Sequence, residues 1–192
     1  MTQLLPSAML DPRNDRLLIL DVDETLIYGA ESELDRPADF YVGPFHVYRR
    51  PHLATFLKAV SGWYELALWS SATIDYVSAS ANEVRPANCE WRFVWGRDRC
   101  TRRMHAELLE NIYVKDLKKV KRLGYDVRRI LVVDDSPSKT SRNFGNAIYV
   151  KAFEGEADDC ELLRLQMYLE SVRDAEDYRT MEKRGWRSRS PL

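Results

Sequence analysis

Twice in this chain a short apolar run is cut off by carboxylates. Arg16 to Leu20 runs straight into Asp21-Val22-Asp23-Glu24-Thr25, and Ile130 to Val133 runs into Asp134-Asp135-Ser136-Pro137. Runs this short, with no polar alternation, suit strands buried on both faces of a parallel sheet, where functional groups gather at the C-terminal ends. Two more segments fit the same reading: Tyr64 to Trp69, stopped by Ser70-Ser71, and Ala147 to Val150. Helices are predicted between them. Pro51 opens one in which Leu53, Phe56, Leu57 and Val60 share a face, and a second starts near Thr73. Asp116 can cap a third over Leu117–Gly124, and Cys160 to Val172 reads as a closing helix. Strands alternating with helices predict an α/β fold with a mostly parallel central sheet.

Two stretches break the rhythm. Residues from about 28 to 48 are acidic, aromatic and turn-rich, which predicts a flap after the first strand. Residues from about 85 to 113 predict a small β insertion, and the basic, weakly apolar tail from about 179 to 192 is expected to be frayed or extended. With 192 residues the chain is expected to form a single domain, able to bury about 70% of its unfolded surface without staples. Twenty-nine basic against thirty acidic side chains argue against wholesale nucleic-acid binding. No apolar run approaches a membrane span, and no secretory leader is recognisable. Cys89, Cys100 and Cys160 are odd in number and unpaired in spacing, which fits a reducing, cytoplasmic setting.

The chemistry-bearing residues sit where strands end. Two carboxylates two positions apart, Asp21 and Asp23, can converge on one point if the chain turns, one as nucleophile or metal ligand and the other handling a proton. Asp134 and Asp135 repel each other, so a site holding both near Asp21 and Asp23 implies a cation, and hard oxygen donors without histidine point to Mg²⁺. Ser70 and Lys115 offer the hydroxyl and the ammonium that a transferring phosphoryl group requires. Taken singly, each is also an ordinary turn or surface residue.

Taken in order, strand–DxDxT, strand–Ser, Lys and strand–DD give the layout of the haloacid dehalogenase (HAD) superfamily, which the chain resembles at all four positions. The words DVDETLI, VYRRPHLATFL, ELALWSSAT, YVKDLKKVKRLG and VVDDSP resemble the NLI-interacting-factor-like, FCP/SCP-type phosphatases. The resemblance implies a three-layer, Rossmann-like fold. It implies two-step phosphomonoester hydrolysis with Asp21 as the nucleophile that becomes an aspartyl-phosphate and Asp23 as the acid and base. Ser70 and Lys115 then bind and neutralise the phosphoryl group. Asp21, the carbonyl of Asp23 and the Asp134-Asp135 pair match the Mg²⁺ site. Family members often carry Asp-Asn at that pair, and the direct ligand aligns with Asp135, leaving Asp134 a supporting contact. The implied substrate is a phosphoprotein. Its rivals are a small metabolite or a nucleic-acid end, and outside enzymes a phosphate-binding module without turnover.

Other candidates are weaker. Thr25 completes the motif and either touches substrate or holds the loop. Arg97 and Arg99, with Arg102 and Arg103, form a basic cluster that could draw an anionic substrate. Trp91, Phe93 and Trp95 alternate as one face of a strand, and His46, His52 and His105 share no metal-like spacing.

Overall fold

The computed structural model describes residues 15–87, 89–104 and 111–189, so His105 lies outside the described residues. In chain order these form β1 (Leu17–Leu20), β2 (Ile27–Ala30), β3 (Phe40–Val42), β4 (Phe45–Arg49), α1 (Leu53–Val60), β5 (Glu65–Trp69), α2 (Ile74–Val84), β6 (Val94–Trp95), β7 (Thr101–Met104), β8 (Asn111–Val114), α3 (Lys118–Lys121), β9 (Ile130–Asp134), β10 (Ala147–Tyr149) and α4 (Glu161–Val172). Short 3-10 turns link several of them.

The predicted apolar strands pair in parallel, in the order β10-β9-β1-β5-β6. All four side chains of β1 are buried, as a central strand covered on both faces demands. Its period of two divides the core. Leu18 and Leu20 join Leu57, Val77 and Leu165 from α1, α2 and α4 on one face, and Leu17 and Ile19 join Leu117, Val120 and Tyr125 on the other. Each such fully buried aliphatic side chain is worth about 1.5–3 kcal/mol. The result is an α/β sandwich of three layers, with β1 in the middle and the ends of β1, β5 and β9 opening on one edge.

Helix α1 buries the predicted Leu53, Phe56, Leu57 and Val60. Helix α3 is shorter than expected, because only Val120 among its four residues has a buried face to keep it wound. The Asp116 carboxylate still accepts the Lys118 N–H at its start. Strands β2, β4 and β3 make an antiparallel sheet that follows β1, turning at Gly43 with φ of 56°. Strands β7 and β8 form an antiparallel hairpin, whereas β6 extends the central sheet beside β5. Trp91, Phe93 and Trp95 therefore do not share one face: Trp91 packs towards α2, while Phe93 stacks on Trp95 in the opposite core.

The expectation for the tail is corrected. Residues 178–189 pack against β10 and α4: Tyr178 and Trp186 are buried, Trp186 Nε1 donates to the Tyr149 carbonyl at 2.8 Å, and Arg187 pairs with Glu161. One large indole in a weakly apolar stretch was enough to anchor it.

Candidate active site

Asp21 follows β1 directly, and its amide donates to the Val133 carbonyl of β9 at 2.9 Å. The chain then turns sharply, with Glu24 in the left-handed region at φ of 59° and Leu26 N–H returning to the Val22 carbonyl. Arg50 fixes this turn from beneath. Its fully buried guanidinium donates to the Thr25 and Lys151 carbonyls and twice to Asp159, at 2.8 Å each time.

The Asp21 carboxylate is almost inaccessible. Lys115 Nζ lies 2.8 Å from its Oδ1 and 2.7 Å from Asp134 Oδ2. Lys139 Nζ lies 3.2 Å from Asp21 Oδ2 and 3.2 Å from Asp135 Oδ1. The Lys115 contact is ionic but poorly directed, so Asp21 Oδ1 has no hydrogen-bond donor although it is buried. Burial opposes ionisation of Asp21, but the two ammoniums outweigh it and hold its carboxyl below the usual range. Asp134 moves the other way: burial, abetted by the charge of Asp21, pushes it up.

Asp23 faces away from that cluster. Its Oδ2 accepts from Ser70 Oγ at 3.0 Å, and the Tyr76 hydroxyl of α2 shares its cleft. Burial and the Asp21 charge raise its pKa, against the opposing pull of those two hydroxyls. Ser70 is buried at the end of β5 and also accepts the Ala72 N–H at 3.0 Å, which fixes its rotamer. Lys115 is held by its backbone as well, N–H to the Lys139 carbonyl and carbonyl to the Asn143 side chain.

Asp21, Asp134 and Asp135 each bring one oxygen within 4.8 Å of the others. The donors are all hard oxygens and one of them is an orphaned buried atom, so the residues present fit a hard divalent cation. The side chain of Asp23 is outside this group. Both Asp134 oxygens are engaged, by Lys115 and by the Ser136 N–H, while among the described residues the Asp135 carboxylate accepts from Lys139 alone.

Beside Asp23 a cleft of ≈ 270 Å³ opens, lined by Gly29, Phe45, Ala72, Thr73, Tyr76 and Arg97. Larger hollows beside the tail and between α1 and α2 are lined by other charged residues, Glu182, Lys183, Arg184 and Arg187 in the first and Arg49, Lys58, Glu83 and Arg85 in the second. Arg97 reaches this mouth, donating to the Ser71 carbonyl at 2.7 Å and lying 4.9 Å over the Tyr113 ring. Arg99 turns instead towards Trp95 and Asp98, away from the cleft. Thr25 is wholly buried and its carbonyl is taken by Arg50, which supports the loop-holding alternative. Two participants escaped sequence reasoning. Lys139 stands one helical turn after Asp135, a spacing that could have drawn attention, whereas nothing local marks Tyr76.

A family model described as NLI interacting factor-like phosphatase matches residues 16–179. The chain belongs to this family. Its members are HAD-type phosphatases, and this chain is one. CTD nuclear envelope phosphatase 1 of Xenopus tropicalis is 29% identical over 185 residues, 88% of this chain and 72% of that protein. The CTD nuclear envelope phosphatase 1 homolog of Drosophila melanogaster is 30% identical over the same shares. Among solved structures, Fcp1, an essential RNA polymerase II CTD phosphatase, has the same fold at a TM-score of 0.63 and 18% identity. That match covers 83% of this chain and only 62% of the Fcp1 chain, so this phosphatase spans less than two thirds of it. No helix among its described residues is long and apolar enough to cross a membrane.

Proposed function

We propose that the protein is a Mg²⁺-dependent phosphomonoester hydrolase that works through an aspartyl-phosphate on Asp21 and takes phosphoserine or phosphothreonine proteins as substrate. One observation carries the reading. Two carboxylates two residues apart are shifted in opposite directions by their surroundings, Asp21 held low against its burial by Lys115 and Lys139, and Asp23 raised by burial and the Asp21 charge. Those are the directions a nucleophile and a general acid on one loop require.

In the first step an Asp21 oxygen attacks phosphorus while Asp23 gives its proton to the departing substrate oxygen. In the second, Asp23, now a carboxylate, takes a proton from the water that hydrolyses the Asp21 phosphoester. Ser70 holds Asp23 at the correct rotamer and offers its hydroxyl to a phosphoryl oxygen, and Lys115 offsets the charge spread over those oxygens. Asp21, Asp135 and the carbonyl of Asp23 would hold the Mg²⁺, with Asp134 tied to Lys115 behind them. When bound, the ion neutralises charge between the nucleophile and the phosphoryl group.

The protein substrate is supported by relatives named as CTD phosphatases and by Arg97 at the mouth of the cleft. Three free cysteines support a reducing compartment, in keeping with the expected cytoplasm, while the relatives' names make the nuclear envelope the setting to test against it. Asp21→Asn has nearly the same shape and removes the nucleophile, so it should reduce p-nitrophenyl phosphate and phosphopeptide turnover to background with an unchanged circular dichroism spectrum. Hydrolysis near the wild-type rate would sink the mechanism. A wild-type preference for nucleotides over phosphopeptides would reassign the substrate.

A further inference from the structure

Both oxygens of the Asp21 carboxylate lie against an ammonium, Oδ1 against Lys115 and Oδ2 against Lys139. Lys139 bridges Asp21 and Asp135, two of the carboxylates that would hold the cation, so an incoming ion and this ammonium compete for the same groups.

The two lysines differ in freedom. Lys115 is 1% exposed, shared with Asp134 at 2.7 Å and clamped through its backbone. Lys139 is 23% exposed and rises from the 3-10 turn Pro137–Thr140 at the rim of the site. Its contacts with Asp21 and Asp135 are both 3.2 Å, longer than those of Lys115. The carboxylates it bridges are two of the three in the acidic cluster. Glu24 stands at the same rim, near enough to feel the charges of Asp135 and Lys139, and offers a displaced ammonium another partner.

We propose that Lys139 is a tethered counter-ion that fills the cation site of the metal-free protein and is displaced by the incoming divalent ion, so that metal binding and release of the nucleophile are one event. Electrostatics agrees: Lys139 and an incoming divalent ion are like charges drawn to the same carboxylates, so holding both at once is disfavoured. Seated there, Lys139 offsets the repulsion within the metal-free acidic cluster, and the ion must compete with it for Asp21.

The inference rests on the metal-dependent reading above, and the test separates the two. Mg²⁺ binding to purified wild type, Lys139→Met and Lys139→Gln is measured by titration calorimetry, and thermal unfolding is followed with and without Mg²⁺. Both variants keep the backbone carbonyl that receives the Lys115 N–H. Removing the competitor should tighten Mg²⁺ binding about tenfold, within the range usual for coupled ligands. The metal-free variants should also melt lower than wild type and gain more from Mg²⁺. Unchanged or weaker Mg²⁺ affinity in both variants would overturn the proposal and leave Lys139 a phosphoryl ligand or a structural ion pair. If wild type and variants alike bind no Mg²⁺, the metal-dependent reading itself fails, and the proposal with it.

Discussion

Asp21 and Asp23 are the same amino acid on the same loop, and their difference is entirely one of neighbours: two ammoniums for the first, two hydroxyls and a buried wall for the second. If Asp23 is the proton donor, Asp23→Asn should damage poor leaving groups most. A phosphoserine departs as a high-pKa alkoxide and needs the proton, whereas p-nitrophenolate can leave with far less help. The ratio of the two kcat/KM losses should reach about 10²–10⁴, the usual worth of general acid catalysis. Equal losses that extra Mg²⁺ repairs would instead make Asp23 a metal ligand only. At this scale the sequence was informative about residues that end strands, because carboxylates, a hydroxyl and a lysine recurring in a set order at strand ends say more together than any one of them does. It was silent on Tyr76, whose hydroxyl arrives from the first turn of α2 and depends on a helix orientation that no local pattern encodes. Lys139 was overlooked for a related reason, since a lysine in a polar turn looks like any solvated one.

Among the elements, the motif loop after β1 and the segment after β10 are joined through one buried ion pair, Arg50 with Asp159. Burial disfavours the Asp159 carboxylate, but bonds from Arg50 and from the Glu161 N–H prevail and hold its pKa below the ordinary 3.8. Asp159→Ala leaves the Arg50 charge stranded, a change that costs about 3–5 kcal/mol in comparable buried pairs. Urea unfolding should show a loss of that order, and a loss under about 1 kcal/mol would mean that water reaches Arg50. The sign with pH follows from a depressed carboxylate. The pair's contribution is complete above 3.8 and disappears as pH falls through the lower folded value, so wild type and variant should converge in acid. Parallel strands and the α1 face were legible because burial on both sides leaves an unmistakable apolar run or stripe. The short α3 was not, since its lysine-rich sequence carries helix propensity without a surface to pack.

For the molecule as a whole, β10 is an edge strand of the central sheet, and residues 178–189 cover it. An uncovered edge invites pairing with another chain. Trp186→Ala should cost about 3–5 kcal/mol, or roughly 6–20 °C in melting temperature for a domain of this size. A melting temperature within about 2 °C of wild type would contradict a structural tail. The backbone bond from Asp21 to Val133 has a different kind of consequence, for the order of events during synthesis. Strand β1 and its motif leave the ribosome before β9, but the carbonyl that seats Asp21, the other two carboxylates of the acidic cluster and the second partner of Lys115 all wait for β9. A nascent chain that ends before Ile130 therefore carries the whole DxDxT signature without the partners that the proposed chemistry needs.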